Sequence, residues 1–312
     1  MCASVATRGF GRSLSRRWSW LRPRERPDGG WSLALGGGGA RGLAHIGVLK
    51  VLEAAGIEPE IVTGTSMGGL IALAWGAGMK AEEMEDLARR THIARLFTID
   101  KTGLAVAGTE RIGALAKRLA DGRTMEELPR RCAVVAVDII SGQRVTISTG
   151  PVDRAVCATI AIPALFSPVV EGDRILVDGG ILEPVPVEAA YHLGGRRVIA
   201  VDVGPDRGRP LAPDAFLAMV PRQIASSLVF LRFFGRSRIL DLLLKSIEVQ
   251  SRELLDLRLA AVPPAVLIRP SVGHVPMDRF ERVEVCIAAG EEAARAALPS
   301  LRGQGSGAAG RV

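Results

Sequence analysis

The sequence predicts an α/β fold in which a mainly parallel sheet carries helices on both faces. Residues 31–35 and 61–63 are short apolar runs, and between them lie a glycine-rich turn and an apolar helix over residues 43–55. Strand, turn, helix and strand in this order form the right-handed unit of a parallel sheet. Residues 133–139 and 198–203 are continuous apolar runs, which is typical of strands covered on both faces. With 312 residues, of which 48% are hydrophobic, the chain can bury a core of this size.

The remaining segments continue the alternation of helices and strands. Gly172 and Asp173 separate two short strands, which predicts a two-residue hairpin that delivers Asp178 to the end of a strand. The predicted helices cover residues 81–90, 109–120, 187–193, 215–259 and 279–301, and the further strands cover residues 144–148, 169–171, 174–177 and 265–268. We expect residues 80–130 or 215–245 to supply an apolar cover over a site.

The formal net charge of +7 is concentrated at the N-terminus. Residues 1–30 contain seven arginines against two acidic residues, so the other 282 residues carry only +2. We therefore expect residues 1–30 to be a basic, disordered extension, residues 31–302 to be the folded domain and residues 303–312 to be a disordered tail. The extension is also compatible with an organellar transit peptide or with binding to an anionic membrane surface. The near-neutral body argues against nucleic-acid binding.

Cysteine usage and hydropathy predict a cytoplasmic chain. The four cysteines are scattered, without a C-x-x-C pair or a metal-ligand spacing to histidine: Cys2, Cys132, Cys157 and Cys286. We interpret them as reduced packing residues and expect no metal site. The uncharged run over residues 61–79 has the length of a membrane span but contains five glycines, so a buried strand, turn and helix is the better interpretation. The aromatic cluster at residues 230–234 either packs in the core or makes a peripheral membrane contact.

Residues 64–68 form a G-x-S-x-G motif with Ser66 at its centre. An apolar strand precedes the motif and an apolar helix follows it, which is the context of a sharp strand-to-helix turn that exposes a serine hydroxyl. Gly64 and Gly68 permit that turn. Ser66 would then lie at a helix N-terminus, where free N–H groups favour developing negative charge. The motif is short and the chain is rich in glycine, so its context must carry the interpretation.

A second glycine-rich run, residues 36–42, fits two kinds of site. In a dinucleotide-binding fold such glycines hold a pyrophosphate, and Glu58 or Glu60 would be offered to the ribose. Both glutamates, however, precede the next strand instead of ending it. In an acyl-transfer enzyme the exposed N–H groups of the same turn form an oxyanion hole. The neighbouring G-x-S-x-G motif favours the second interpretation.

Asp178 is the candidate base, because a serine hydroxyl is a poor nucleophile until a neighbouring group accepts its proton. The chain order Ser66, Asp178 and then His192 or His274 is also compatible with a Ser-Asp-His triad of the α/β-hydrolase type. Neither histidine has a convincing context, since His192 falls in a helix and His274 in a proline-flanked loop. A non-catalytic lipid-binding module is a further alternative.

Together these blocks resemble the patatin-like phospholipase family. The resemblance covers residues 31–204 and includes the run 36–42, the motif around Ser66, residues 161–168, Asp178 with its two glycines, and residues 184–186. It implies a three-layer α/β/α fold, a Ser66–Asp178 dyad, hydrolysis of lipid or phospholipid esters, and neither metal nor cofactor. It also implies an oxyanion hole and supporting positions, which are Gly37, Gly38 and Gly39 for the hole and Arg41, Gly42, Gly64, Gly68, Gly179 and Gly180 for support.

Three positions leave the details of such a site open. Arg41 follows the oxyanion glycines and either pairs with a phosphate or anchors the loop. Glu183 stands where many relatives carry Asn, and Ala164 stands where Gly is frequent, so the shape and polarity of the substrate entrance are undetermined. Neither the lipid class nor the oligomeric state follows from the sequence.

Overall fold

The computed structural model describes residues 30–91, 96, 98–100, 103, 105–205 and 238–303. Four of the sequence predictions fall outside these ranges wholly or in part, and the first three concern the termini and the aromatic cluster. They are the basic extension up to residue 29, the aromatic cluster at residues 230–234, and the tail from residue 304. The predicted helix over residues 215–259 is described only from Arg238 onwards.

A mostly parallel eight-stranded sheet forms the centre of the molecule, and a separate two-stranded ribbon lies beside it. The strands are β1 Trp31–Leu35, β2 Ile61–Thr65, β3 Thr98–Ile99, β4 Ala107–Gly108, β5 Arg131–Asp138, β6 Gln143–Ile147, β7 Val169–Glu171, β8 Arg174–Asp178, β9 Arg197–Val201 and β10 Val266–Ile268. The large sheet has the order β10, β9, β1, β2, β5, β8, β7, with β6 also paired to β5, and β3 pairs with β4. Strands β10, β9, β1, β2 and β5 are parallel, whereas β6, β7 and β8 join by antiparallel pairing.

Helices cover both faces of the sheet, as the sequence predicts. They are α1 Ala44–Ala54, α2 Met67–Gly76, α3 Ala81–Arg90, α4 Glu110–Leu119, α5 Val152–Thr159, α6 Val187–His192, α7 Arg238–Ala261 and α8 Val283–Gly303. Leu33 and Leu35 pack with α1, α2, α3 and α8, whereas Ala34 between them packs with α6 and α7. Successive side chains of β1 therefore point to opposite faces of the sheet and join two different hydrophobic clusters. Helices on both faces of the sheet give the three layers. The prediction of an α/β fold with a mainly parallel central sheet is confirmed.

The pairing along β5 brings two strand ends together. Residues 131–135 of β5 pair with β2 in parallel, and residues 136–138 pair with β8 antiparallel. Because β6 pairs with residues 134–138, it occupies the opposite edge, and β2 and β8 must share one edge. Thr65 lies opposite Val135 and Asp178 lies opposite Ala136, so β2 and β8 run towards each other and end at adjacent positions. The residue after β2 and the last residue of β8 therefore meet.

The last helix begins later than the sequence pattern suggests, at Val283 and not at residue 279. Hydrogen-bonded turns occupy the preceding residues, where the Arg279 N–H donates to the Pro276 carbonyl and the Arg282 N–H donates to the Arg279 carbonyl. These turns place the Met277 carbonyl 2.7 Å from the Ala40 nitrogen. The segment before α8 therefore holds the glycine-rich loop.

Cysteines contribute to packing in the described part of the chain. Cys132 and Cys286 are buried free thiols, and Cys157 is a half-buried one. Among the described helices, none combines the length and the apolar character that crossing a bilayer requires.

Helices α1 and α8 approach each other through two glycines. A Cβ on Gly47 would lie 2.0 Å from the Ile287 carbonyl oxygen, and one on Gly290 would lie 2.0 Å from the Ala44 carbonyl oxygen. Both contacts are with backbone, which cannot move aside as a flexible side chain can. The crossing of α1 and α8 therefore requires glycine at both positions.

We expect Gly290→Ala to lower the free energy of unfolding by about 1–3 kcal/mol, because the added methyl group forces α8 away from α1. Alanine would otherwise stabilise a helix interior relative to glycine by about 1 kcal/mol, so the sign of the change identifies the steric cause. Urea unfolding followed by circular dichroism measures it. Ala288→Ser, on the exposed side of α8, is the control and should change stability by no more than about 0.5 kcal/mol. Equal or greater stability of Gly290→Ala would contradict the close crossing.

Candidate active site

Ser66 lies in a sharp turn between β2 and α2. Its backbone has φ 54° and ψ −124°, a conformation that residues with a Cβ rarely adopt. A Cβ on Gly64 would lie 2.2 Å from the Gly68 carbonyl oxygen, and one on Gly68 would lie 2.2 Å from the Leu35 carbonyl oxygen. Gly64 thus allows the end of β2 to pack against the start of α2, and Gly68 allows the start of α2 to pack against β1. This arrangement fixes Ser66 at the first turn of α2, as the G-x-S-x-G motif predicts.

Thr159 braces the turn from α5. Its Oγ1 accepts a hydrogen bond from the Ser66 N–H at 3.0 Å and donates one to the Val135 carbonyl at 2.7 Å. Thr159 is fully buried, and it couples the strained residue to the strand that pairs with both β2 and β8. Sequence reasoning did not find Thr159, because no local pattern connects it with Ser66.

Asp178 is brought to Ser66 by the end-to-end meeting of β2 and β8. The Ser66 side chain lies beside its carboxylate, and its Oδ1 accepts the Gly180 N–H at 2.7 Å. Burial raises the pKa of Asp178 to about 6, although the Ser66 side chain and the Gly180 N–H lower it. A Cβ on Gly179 would lie 2.4 Å from the Val135 carbonyl oxygen, so the turn after Asp178 also needs glycine. Asp178 is thus a buried carboxylate with a basicity suited to accepting a proton near neutral pH.

The glycine-rich loop presents backbone N–H groups beside Ser66. The Gly37 N–H donates to the Pro184 carbonyl at 2.9 Å, so it is not available to an oxyanion in this arrangement. Within the described residues, no acceptor is found for the N–H groups of Gly38, Gly39 or Met67. The predicted set of oxyanion donors therefore narrows to Gly38 and Gly39, and the N–H at the start of α2 joins them as a candidate.

Arg41 is a buried residue that contacts the glycine-rich loop and helix α7. It is only 4% exposed, its Nε donates to the Gly38 carbonyl at 3.3 Å, and its Nη2 lies 3.3 Å from Glu248 on α7. The neighbouring Gly42 packs against Met67, and a Cβ at this position would lie 2.4 Å from Met67 Cγ. Of the two roles predicted for Arg41, these contacts match the anchor.

His45 holds the loop from α1 and was also missed by sequence reasoning. It is fully buried, and its Nε2 lies 2.7 Å from the Gly36 carbonyl oxygen. Burial lowers the pKa of His45 to about 4, while the hydrogen bond to Gly36 and the charge of Asp202 act in the opposite direction. The neutral ring therefore donates from Nε2. The sequence signal that could have marked it is a histidine among the apolar residues that open α1.

An apolar cavity of about 100 Å³ opens beside Ser66 and Gly39. Aliphatic and aromatic side chains from α2, α3, α4 and the segments around them form its wall, namely Leu43, Ile46, Met67, Leu70, Ile71, Ala74, Met84, Leu87, Ala88, Leu96, Ile112, Leu115, Leu119, Ile160, Ile162, Phe166 and Phe280, with Thr91 as a polar member. Helices α3 and α4 belong to residues 80–130, which the sequence predicted as a cover. The space next to Ser66 suits an aliphatic chain.

The other candidates lie away from Ser66 and Asp178. His192 is an exposed residue at the end of α6, before β9 begins. It therefore lies near the N-terminal ends of the parallel strands, whereas Ser66 follows a C-terminal end. His274 is exposed in the loop after β10. Glu60 precedes β2, and its N–H donates to the carbonyl of Trp31 at the start of β1. It therefore also lies at the N-terminal ends of the strands, whereas the glycine-rich loop follows the C-terminal end of β1. In the described ranges, no group of three His, Cys, Asp or Glu side chains is arranged to hold a metal ion.

The family model for patatin-like phospholipase matches residues 33–191, which include the glycine-rich loop, Ser66 and Asp178. The chain belongs to the patatin-like phospholipase family. An uncharacterized NTE family protein of Mycobacterium tuberculosis is 32% identical over 275 residues, covering 85% of this chain and 46% of that protein. A protein named lysophospholipase from Aspergillus fumigatus is 32% identical over 179 residues, covering 55% of this chain and 12% of that protein. The chain thus spans about half or less of the length of these relatives.

A solved structure supports the patatin-like fold. The crystal structure of VipD from Legionella pneumophila matches with a TM-score of 0.50 at 13% sequence identity. The match covers 88% of this chain and 67% of that one. At this level of identity the likeness concerns the fold alone.

Both departures from the patatin-like pattern have defined surroundings. Ala164 adopts a positive φ of 65°, where glycine would be unstrained, and its carbonyl accepts the Val106 N–H at 3.2 Å. This bond connects the loop before β7 to the segment that leads into β4. Glu183 is 1% exposed and pairs with Arg144 on β6. Neither residue lines the cavity beside Ser66.

We expect His45 to make stability sensitive to acid. Above pH 6.5 His45 is neutral in the folded and the unfolded chain, but as the pH falls towards 4 only the unfolded chain takes up the proton. The free energy of unfolding therefore falls through this window by on the order of 3 kcal/mol from this group.

Urea unfolding at pH 7 and pH 4.5, compared between wild type and His45→Gln, isolates this contribution. The glutamine amide can still donate to the Gly36 carbonyl but does not titrate. We expect a smaller loss of stability on acidification in the variant. An equal loss in both proteins would show that His45 is not buried as a neutral ring.

Proposed function

We propose that the protein is a serine acyl hydrolase that cleaves carboxylic esters of lipids or phospholipids through Ser66 and Asp178. One observation carries the proposal: the meeting of two strand ends places Ser66, at the wall of an apolar cavity, beside the buried carboxylate of Asp178. N–H groups of the glycine-rich loop that have no acceptor among the described residues lie beside it. Family membership supports lipid esters as the substrate class.

In the proposed reaction, Asp178 accepts the hydroxyl proton as Ser66 Oγ attacks the ester carbonyl carbon. The carbonyl oxygen takes up the electron pair and is stabilised by the N–H groups of Gly38, Gly39 and Met67. The tetrahedral intermediate collapses, the alcohol departs with the proton from Asp178, and an acyl-Ser66 ester remains. Water then attacks that ester, gives its proton to Asp178 and releases the fatty acid, and Ser66 recovers its proton.

The cavity favours an aliphatic acyl group over a small polar one. Apolar side chains form nearly all of its wall, so an acyl chain there exchanges water for hydrocarbon contacts. The same apolar wall excludes water, which strengthens the interaction between Asp178 and the hydroxyl. Because one relative is named a lysophospholipase, single-chain phospholipids are included among the substrates to be tested. Access to such substrates involves contact with a membrane or micelle surface.

Substitution of the two proposed catalytic residues tests the assignment. A fluorophosphonate probe should label wild type and leave Ser66→Ala unlabelled. Asp178→Asn should lower ester hydrolysis by about 10²- to 10⁴-fold, because the amide cannot accept the proton. The exposed histidines serve as controls, and His192→Ala and His274→Ala should keep the wild-type rate.

Three results would change the proposal. Labelling of Ser66→Ala at the wild-type level would remove Ser66 as nucleophile. Loss of activity in His274→Ala with activity retained in Asp178→Asn would establish a histidine base. Binding of lysophospholipid micelles that survives Ser66→Ala, with no hydrolysis by wild type, would identify a lipid-binding module.

The pH dependence of hydrolysis should report the titration of Asp178. Because the carboxyl must be ionised to accept a proton, kcat/KM for a soluble ester should be constant above about pH 7. It should fall tenfold per pH unit below an inflection near pH 6, where burial places the pKa of Asp178. Circular dichroism at each pH verifies that the protein remains folded. An inflection near pH 4, as for a solvated carboxyl, would contradict the burial of the base.

A further inference from the structure

Residues 183–186 contact the three parts of the candidate active site through their backbone. The Glu183 carbonyl accepts the Thr65 hydroxyl at 2.9 Å, directly before Ser66. The Glu183 N–H donates to the Gly179 carbonyl at 2.8 Å, directly after Asp178. The Pro184 carbonyl accepts the Gly37 N–H at 2.9 Å in the glycine-rich loop. The backbone of two adjacent residues, Glu183 and Pro184, therefore connects the turn at Ser66, the turn after Asp178 and the glycine-rich loop.

The side chain of Glu183 holds this stretch of backbone in place. It is buried, with one carboxylate oxygen 3.0 Å from Arg144 Nη1 and the other 3.1 Å from the Ala189 nitrogen in the first turn of α6. Burial raises the pKa of Glu183, whereas Arg144 and the Ala189 N–H favour its ionised form. A buried carboxylate requires such partners, because an unpaired charge in the interior is strongly destabilising. Glu183 thus ties its own backbone to β6 and to α6.

Arg144 connects this pair to an outer one. Its Nη2 lies 2.6 Å from Glu188 on α6, and the other oxygen of Glu188 lies 2.6 Å from Arg258 on α7. The inner pair, Glu183 with Arg144, touches the residues next to Ser66 and Asp178, whereas Arg258 is one link further away. The chain therefore offers an internal comparison between two arginines of the same network.

We propose that the ion pair of Glu183 and Arg144 is a positioning device. It keeps the turn at Ser66, the turn after Asp178 and the glycine-rich loop in fixed positions relative to one another. The inference rests on the proposed function for its kinetic consequence. Neither side chain lines the cavity, so both act through the backbone of residues 183–186 and not on the substrate. The positive charge of Arg144 is the partner that a buried carboxylate at position 183 requires.

Four variants test the device: Glu183→Gln, Arg144→Met, the double variant, and Arg258→Met as the matched control. The first measurement is kcat and KM for a soluble short-chain ester. The second is hydrogen exchange of the amides in residues 36–40 and 178–183, which reports the loops whether or not the protein turns over an ester. Urea unfolding of each variant shows that it is folded under the assay conditions.

Arg144→Met should lower kcat by on the order of a hundredfold, since small displacements of reacting groups have effects of this size. KM should change by no more than about twofold, because the cavity is intact. Exchange should accelerate in both loops. The double variant should recover part of the rate lost in Arg144→Met, because it no longer leaves a buried charge without a partner. Arg258→Met should retain the kcat and the loop exchange of wild type.

The two readouts separate failure of the device from failure of the proposed function. Unchanged exchange and unchanged kcat in Glu183→Gln and Arg144→Met would overturn the device, as would a double variant no better than Arg144→Met. An equal effect of Arg258→Met would assign the network to general stability and overturn it too. A wild-type protein without esterase activity, but with faster loop exchange only in the inner-pair variants, would overturn the proposed function and support the device.

Discussion

The meeting of β2 and β8 on one edge of β5 is the constraint on which the candidate active site depends. A parallel strand and an antiparallel strand approach each other along the same partner, and their last residues lie opposite Val135 and Ala136. Side chains alternate between the two faces of a sheet, so a slip of one residue in β8 would turn Asp178 to the other face. The pairing with β5 therefore determines both the distance between Ser66 and Asp178 and the direction in which Asp178 points.

Strain at Ser66 is tolerated because its surroundings leave no alternative. A residue with a Cβ at positive φ costs about 1–3 kcal/mol, and such residues persist where neighbouring structure over-determines them. Here the close approach of Gly68 to the backbone of β1 holds one side of the turn, and the bond from the Ser66 N–H to Thr159 holds the other. These contacts hold the backbone of Ser66 in a position from which its side chain reaches Asp178 and the cavity.

Local patterns in the sequence predicted the elements that local interactions determine. The bounds of β1 and α3 and the hairpin at Gly172 follow from short-range signals, and the structure has them where they were expected. The brace from Thr159 and the bond from Gly37 to Pro184 were not predicted, because each joins residues far apart in the chain. The position of His192 was not predictable either, because only the topology shows that it lies at the opposite end of the strands from Ser66. Residues 276–282 were predicted partly as helix, but their turns serve the glycine-rich loop instead.

Two buried carboxylates flank the turn after β8, and the chain treats them differently. Glu183 is paired with Arg144, which favours its ionised form. The influences on Asp178 among the described residues are burial, the neighbouring Ser66 side chain and the Gly180 N–H, with no cation among them. A cation beside Asp178 would lower its pKa and make it a weaker base. Arg144 pairs with Glu183 and Glu188, so its positive charge is engaged there and not with Asp178. In the proposed reaction a carboxylate therefore takes the part that imidazole has in a Ser-His-Asp triad, with its basicity raised by burial.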